Sequence, residues 1–134
     1  MSNNQTSKGL HIGLWVAQAF LAATMGMAGF MKTSAPIEQL AQNGMTFVND
    51  FAPGMVRFIG ISELLAAIGM ILPSALRIKP MLTPLAAAGI ATIMILGTAY
   101  HLMHGEPFAA ALVFLAISVF VAWGRFVKAP IQPK

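Results

Sequence analysis

Four long apolar runs constrain this chain more than any other feature. They cover Leu10–Met31, Met55–Leu72, Met81–Met103 and Pro107–Gly124. A helix needs about 20 apolar residues to cross a bilayer; the second and fourth runs, 18 residues each, sit at the low end of that requirement. Of 8 Lys and Arg and 4 Asp and Glu, only Arg57 and Glu63 fall inside a run. A charge at the bilayer centre costs about 2.5–3.5 kcal/mol on insertion scales, so this segregation is what spanning segments require. Composition agrees: 57% of residues are hydrophobic and 9% charged, against about 25% charged in an ordinary soluble domain. A water-soluble globule and a disordered chain are excluded. With no cysteine, so are a disulfide scaffold, thiol redox chemistry and thiolate metal sites. The expected fold is all-α: a single transmembrane domain over residues 1–134, an integral membrane bundle of four helices in which neighbours run antiparallel.

Basic residues set the expected orientation. Lys8, Arg77, Lys79, Arg125, Lys128 and Lys134 fall on one side, Lys32 and the membrane-edge Arg57 on the other. Both termini are therefore expected in the cytoplasm, in a bacterial inner membrane. The first run is read as a retained helix, because its apolar core is longer than that of a signal peptide. The long outer loop, residues 33–54, has internal pattern. Ser34 and Pro36 suit a helix start, Ile37, Leu40 and Ala41 share a helical face, and Gly44 suits a helix end. Phe47, Val48 and Phe51 form a second apolar group. The loop reads as a short interfacial helix or lid between the first two spans, or else as a plain connector lying against headgroups. Gly26 and Gly29, Gly60 and Gly69, and Gly89 and Gly97 read as close-packing positions; Gly9 and Gly13 offer a weak dimerisation motif.

Polar residues inside the spans carry the functional information. Lys32 ends the first span on the outer side and Arg57 begins the second. Glu63 lies six residues deeper, about 9 Å further in. His101 and His104 end the third, three apart on one face, and Glu106 follows. Lys32, Arg57, Glu63 and His101 thus share one membrane level on three helices. Buried charges face the bundle interior and pair, and Glu63 has Arg57, Lys32 or His101 as partners. The cluster is either a charge network that pins helices or a polar pocket opening outward. In the second case Glu63 and His101 are the acid/base candidates. Lys32, Arg57, Tyr100 and His104, with the rings of Phe30 and Phe58, are the ligand-binding candidates. Two histidines on one helix lack an evident third ligand, so no metal is expected. His11 lies at the opposite level, which disfavours a bis-histidine haem. No phosphate loop, nucleophile elbow or dinucleotide fingerprint is present, and the basic residues form no nucleic-acid patch.

Gly29-Phe30-Met31-Lys32, the stretch Arg57-Phe58-Ile59-Gly60-Ile61-Ser62-Glu63-Leu64 leading to Gly69 and Pro73, and His101 together carry a likeness. From about Leu10 to Gly124 the chain resembles the DoxX-like family of small bacterial four-helix membrane proteins. The resemblance implies a four-helix fold and a connection to quinone or redox chemistry at the membrane, and it points to Lys32, Arg57, Glu63 and His101. Three functions follow as expectations. The first is a redox accessory that holds a quinone-like lipophilic small molecule, carries no intrinsic cofactor and receives electrons from a partner oxidoreductase subunit. The second is a non-catalytic protein that binds lipid or a membrane partner. The third is an intramembrane acid–base enzyme, an isomerase or hydrolase, acting on a lipophilic metabolite.

Overall fold

The computed structural model describes residues 7–134, and all their regular structure is helical. Four long helices are α1 (Lys8–Ser34), α3 (Pro53–Leu76), α4 (Leu82–Met103) and α5 (Ala109–Trp123), the last continued by a π-helical turn over Gly124–Lys128. The short α2 (Ile37–Gln42) and a 3₁₀ turn (Thr46–Asn49) lie between α1 and α3. Each long helix is long and apolar enough to cross a membrane. Large apolar side chains such as Val16, Met27, Leu65 and Leu96 are exposed on the outside of the bundle, where lipid replaces water as solvent.

The long helices close a ring in the order α1, α3, α4, α5; α1 and α3 make the broadest contact and α1 and α5 the thinnest. The main core is Leu21, Met25, Met70, Ala87, Ile90 and Val121. Without a hydrophobic force between helices in lipid, close approach depends on small residues. A Cβ on Gly29 would meet the Gly60 carbonyl oxygen at 2.7 Å and the Leu64 nitrogen at 2.8 Å. One on Gly60 would meet Lys32 Cβ at 2.8 Å. The α1–α3 crossing therefore sits at this pair. Gly69 meets Ala86 and Gly124 meets Leu14 in the same way, whereas Gly89 and Gly97 have open space. Gly13 faces Phe120 of α5 within the chain.

Pro73 lies inside α3 and has no N–H to give the Gly69 carbonyl. Thr83 of α4 donates its hydroxyl to that oxygen at 2.7 Å. That hydroxyl has one proton, so at its 2.7 Å contact with Ser74 it accepts. The freed carbonyl is satisfied across the helix interface, as a proline inside a membrane helix requires.

The segment between α1 and α3 folds back as a lid. Leu40, Val48 and Val56 form a small core of their own, packed with Met31, Ile37, Ala41 and Phe47. Gly44 takes the left-handed conformation, φ 96°, that turns the chain out of α2. The loop thus has the short helix and the two apolar groups that its pattern suggests. Below, the lid end denotes this end of the bundle and the termini end the other.

One expectation needs correction. Arg125 falls outside the fourth apolar run of the sequence, which ends at Gly124, but not outside the fourth helix. The fourth helix continues to Lys128, and Arg125 is only 2% exposed. A hydropathy profile stops a span at the first charge; here acceptors on α1 hold that charge inside the bundle.

Candidate functional site

At the lid end the deepest group is Glu63, which α3 carries to the α1 interface one turn beyond Gly60. Lys32 Nζ donates to both of its carboxylate oxygens, at 2.9 and 3.1 Å. The side chains are 13% and 2% exposed. Lys32 is level with Gly60, so its chain reaches toward the membrane centre. A lysine near a helix end ordinarily extends outward to the headgroups; the Glu63 carboxylate reverses that preference. The Phe47 ring of the lid covers the ammonium, its centroid 5.5 Å from Nζ.

Arg57 does not pair with Glu63. Its Nη1 donates to the carbonyl oxygens of Lys32 at 3.0 Å and Ala35 at 2.6 Å. It satisfies carbonyls that the end of α1 leaves without helical partners, and its charge suits the negative end of the helix dipole. Arg57 therefore holds the backbone that presents Lys32.

His101 turns to Glu106, its Nδ1 2.9 Å from Oε1. Gly105, at φ 65°, reverses the chain so that Glu106 comes back over α4. The other oxygen of Glu106 accepts from Thr46 of the lid at 2.6 Å. Tyr100 donates its hydroxyl to Asp50 at the end of the 3₁₀ turn. His104 stacks on Tyr100 with ring centres 4.0 Å apart. Its Nδ1 donates to the Tyr100 carbonyl at 2.8 Å, and its Nε2 lies 3.5 Å from Asp50. Two polar contacts, Thr46–Glu106 and Tyr100–Asp50, thus latch the lid to the end of α4. Edge-to-face contacts run from Phe47 to Phe51 to Tyr100, each 5.9 Å between centres. They connect the cover over Lys32 to the histidine pair. Phe30 and Phe58 are each 64% exposed on the outer surface; the structure does not bring them to the Lys32–Glu63 pair. Phe47, Phe51, Thr46 and Asp50 take part instead. The apolar grouping of Phe47 and Phe51 in the sequence was the signal for two of them.

The latch is open to water and titrates. The Thr46 hydroxyl, and then the His101 ring, hold the Glu106 carboxyl below the usual carboxylate range. A group lowered in the folded state contributes closure above its unfolded range and loses it as pH falls through the lowered value. Backbone amides of residues 46–51 are thus expected to be protected at neutral pH and to lose protection as pH falls below the usual carboxylate range. Hydrogen exchange corrected for its intrinsic rate reads this. Glu106→Gln is expected to raise exchange at neutral pH and flatten the profile; unchanged protection in both would show that this carboxylate does not close the lid.

A second polar centre lies at the termini end. Arg125 Nε donates to Gln18 Oε1 at 2.7 Å, and Nη1 donates to the Ala129 carbonyl at 2.8 Å and to His11 Nδ1 at 3.2 Å. Trp15 lies under the guanidinium, 5.7 Å from Cζ. Gln18 Nε2 donates to the Met70 carbonyl at 2.6 Å, beside the proline site of α3. The signal was on α1: His11, Trp15 and Gln18, spaced four and three, mark one polar face.

No curated protein and no solved structure matches the chain. A family model described as the DoxX-like family matches residues 16–122. That match covers α3 and α4 whole and most of the first and fourth spans, and it includes the Lys32–Glu63 pair, the Arg57 cap and His101. The chain belongs to the DoxX-like family.

Proposed function

We propose that this membrane protein is a redox accessory that holds a quinone-class ring beneath its lid. The observation that carries the reading is a largely buried ammonium, fixed by Glu63 and with an aromatic ring of a latched segment over it. Lys32 has three N–H groups, two of them engaged by Glu63. The third suits a ring oxygen that takes the place of Phe47. Phe51 and Tyr100 offer faces for the ring. A bound quinone supplies two-electron, two-proton redox chemistry. His101 and Glu106, half-buried at the latch, move protons between the site and water through Nδ1 and Oε1. Arg57 positions Lys32 and touches no ligand. Electrons come from a partner oxidoreductase subunit. The protein sits in a bacterial inner membrane with both termini cytoplasmic, since Lys8, Arg77, Lys79, Lys128 and Lys134 gather at the termini end.

A second reading has its own support. Lys32 satisfies both Glu63 oxygens, so the pair can serve simply as a pin in a protein that binds lipid or a membrane partner. Stand-alone acid–base catalysis has less support, because Glu63 is engaged and His101 turns to Glu106 rather than to it. The test is to purify the chain in mild detergent, extract it with organic solvent and identify bound molecules by absorbance and mass spectrometry. Quinone near one equivalent, lost in Glu63→Gln and His101→Ala, is the expected result. Bulk phospholipid alone, with variants that only unfold more easily, would remove the quinone reading and leave the pin.

A further inference from the structure

We propose that the Arg125 guanidinium is a binding site for an anionic phosphate group, presented by a phospholipid headgroup at the termini end. This is independent of the lid-end reading. Arg125 is 2% exposed inside the fourth span. Its three acceptors, Gln18 Oε1, the Ala129 carbonyl and His11 Nδ1, are neutral groups. Its Nη2 is buried and has no hydrogen-bond partner among the described residues.

The charge has no carboxylate to meet it. The 4 acidic side chains of the chain are Glu38, Asp50, Glu63 and Glu106. Glu38 lies on α2 of the lid, Glu63 pairs with Lys32, and Asp50 and Glu106 form the latch. A buried charge is retained where it is paired, and no acidic side chain among the described residues pairs with this one. A guanidinium fork fits phosphate oxygens two at a time. Arg125 has a free Nη2 beside an Nη1 that holds only uncharged acceptors, which is the half-open fork such a group needs.

Two further features select a membrane-borne phosphate. Lys8, Arg77 and Lys79 lie at the same end and make it electropositive, as sites for acidic headgroups are. An apolar groove of about 470 Å³ also runs between α1 and α5, lined by Gly13, Val16, Phe20, Ile117 and Phe120. These are the helices that supply Trp15, Gln18 and Arg125, and their seam is the thinnest in the bundle. An acyl chain fits that groove. The headgroup enters by exchanging with the Ala129 carbonyl on Nη1. The segment that follows Ala129 is held by a bond from Lys134 N to the Arg77 carbonyl at 3.0 Å and an exposed one from Arg77 Nε to the Gln132 carbonyl at 2.7 Å.

The test takes the full chain from vesicles of equal phosphatidylglycerol and phosphatidylcholine and weighs retained lipid by native mass spectrometry. Wild type is expected to retain phosphatidylglycerol about tenfold over phosphatidylcholine. Arg125→Gln is expected to retain both equally, while Lys8→Gln keeps the preference. Thermal melting with inorganic phosphate alone separates the sources: stabilisation by it, without lipid preference and lost in Arg125→Gln, supports the phosphate site and assigns it to a free anion. No lipid preference in wild type and no stabilisation by inorganic phosphate overturns the proposal, and this result needs no variant to fold. A preference that survives in Arg125→Gln, or that Lys8→Gln abolishes as fully, also overturns it.

Discussion

Lys32→Met is expected to destabilise the bundle by about 3–5 kcal/mol, the usual cost of removing one partner from a buried ion pair. The carboxylate left behind is 2% exposed and more than a turn below the lid. Its short side chain cannot reach water. Glu63→Leu is expected to cost less, because the freed Lys32 has a long apolar stem and can turn outward to the headgroups. The double variant Lys32→Met, Glu63→Leu is expected to lie near wild type or above it. Desolvating two charges offsets most of what their attraction returns, and apolar side chains of similar volume replace them without that penalty. Detergent-solubilised protein melted at neutral pH reads all three. The coupling separates the two functional readings. If the pair only pins α1 to α3, the double variant restores stability and loses nothing else. If it holds a ring oxygen, the double variant is stable and retains no quinone. A double variant as unstable as the sum of the singles would show that the two side chains do not form one unit.

How much of this was legible in the sequence depends on which force sets each feature. The spans were legible because length and hydropathy alone decide what crosses a bilayer. The lid was legible in part, since Leu40 and Val48 recur on apolar faces and Gly44 marks a turn. The partner of Glu63 was not. Lys32, Arg57 and His101 all lie near its depth, and the choice depends on how α1 and α3 rotate about their crossing. Close approach at Gly29 and Gly60 sets that rotation and brings Lys32, not Arg57, onto the carboxylate. Arg57 was misleading for a local reason. It lies nearest Glu63 in sequence, yet the exposed carbonyls at the end of α1 claim it. His101 has a similar history: the Gly105 turn returns Glu106 to it within five residues. Arg125 was hidden because its two side-chain acceptors, Gln18 and His11, lie more than a hundred residues away on α1. Only the face shared by His11, Trp15 and Gln18 hinted at a polar centre there.

The same crossing yields the second large effect. Gly60→Ala puts a methyl group 2.8 Å from Lys32 Cβ and 2.9 Å from the Lys32 carbonyl carbon. Gly29→Ala puts one 2.7 Å from the Gly60 carbonyl oxygen and 2.8 Å from the Leu64 nitrogen. The two nearest neighbours of the Gly29 methyl are backbone; at Gly60 the Thr33 hydroxyl, 2.7 Å away, can turn, but Lys32 Cβ and its carbonyl carbon are fixed to the helix, so the helices themselves must separate. Overpacking of this kind costs about 1–3 kcal/mol and at times more, and the upper end is expected because two helix backbones move together. Separation also lengthens the Lys32–Glu63 contact, which has no slack at 2.9 and 3.1 Å. The loss is therefore expected to be smaller in the Lys32→Met, Glu63→Leu background, where no ion pair remains to be stretched. Gly89→Ala and Gly97→Ala provide the contrast. Nothing lies within 4 Å of either new methyl group, and alanine is favoured over glycine inside a helix by up to about 1 kcal/mol. Both are expected to melt at or above the wild-type temperature. If Gly60→Ala were to melt with them, α1 and α3 would not cross at Gly29 and Gly60, and the placement of Lys32 on Glu63 would fall with that crossing.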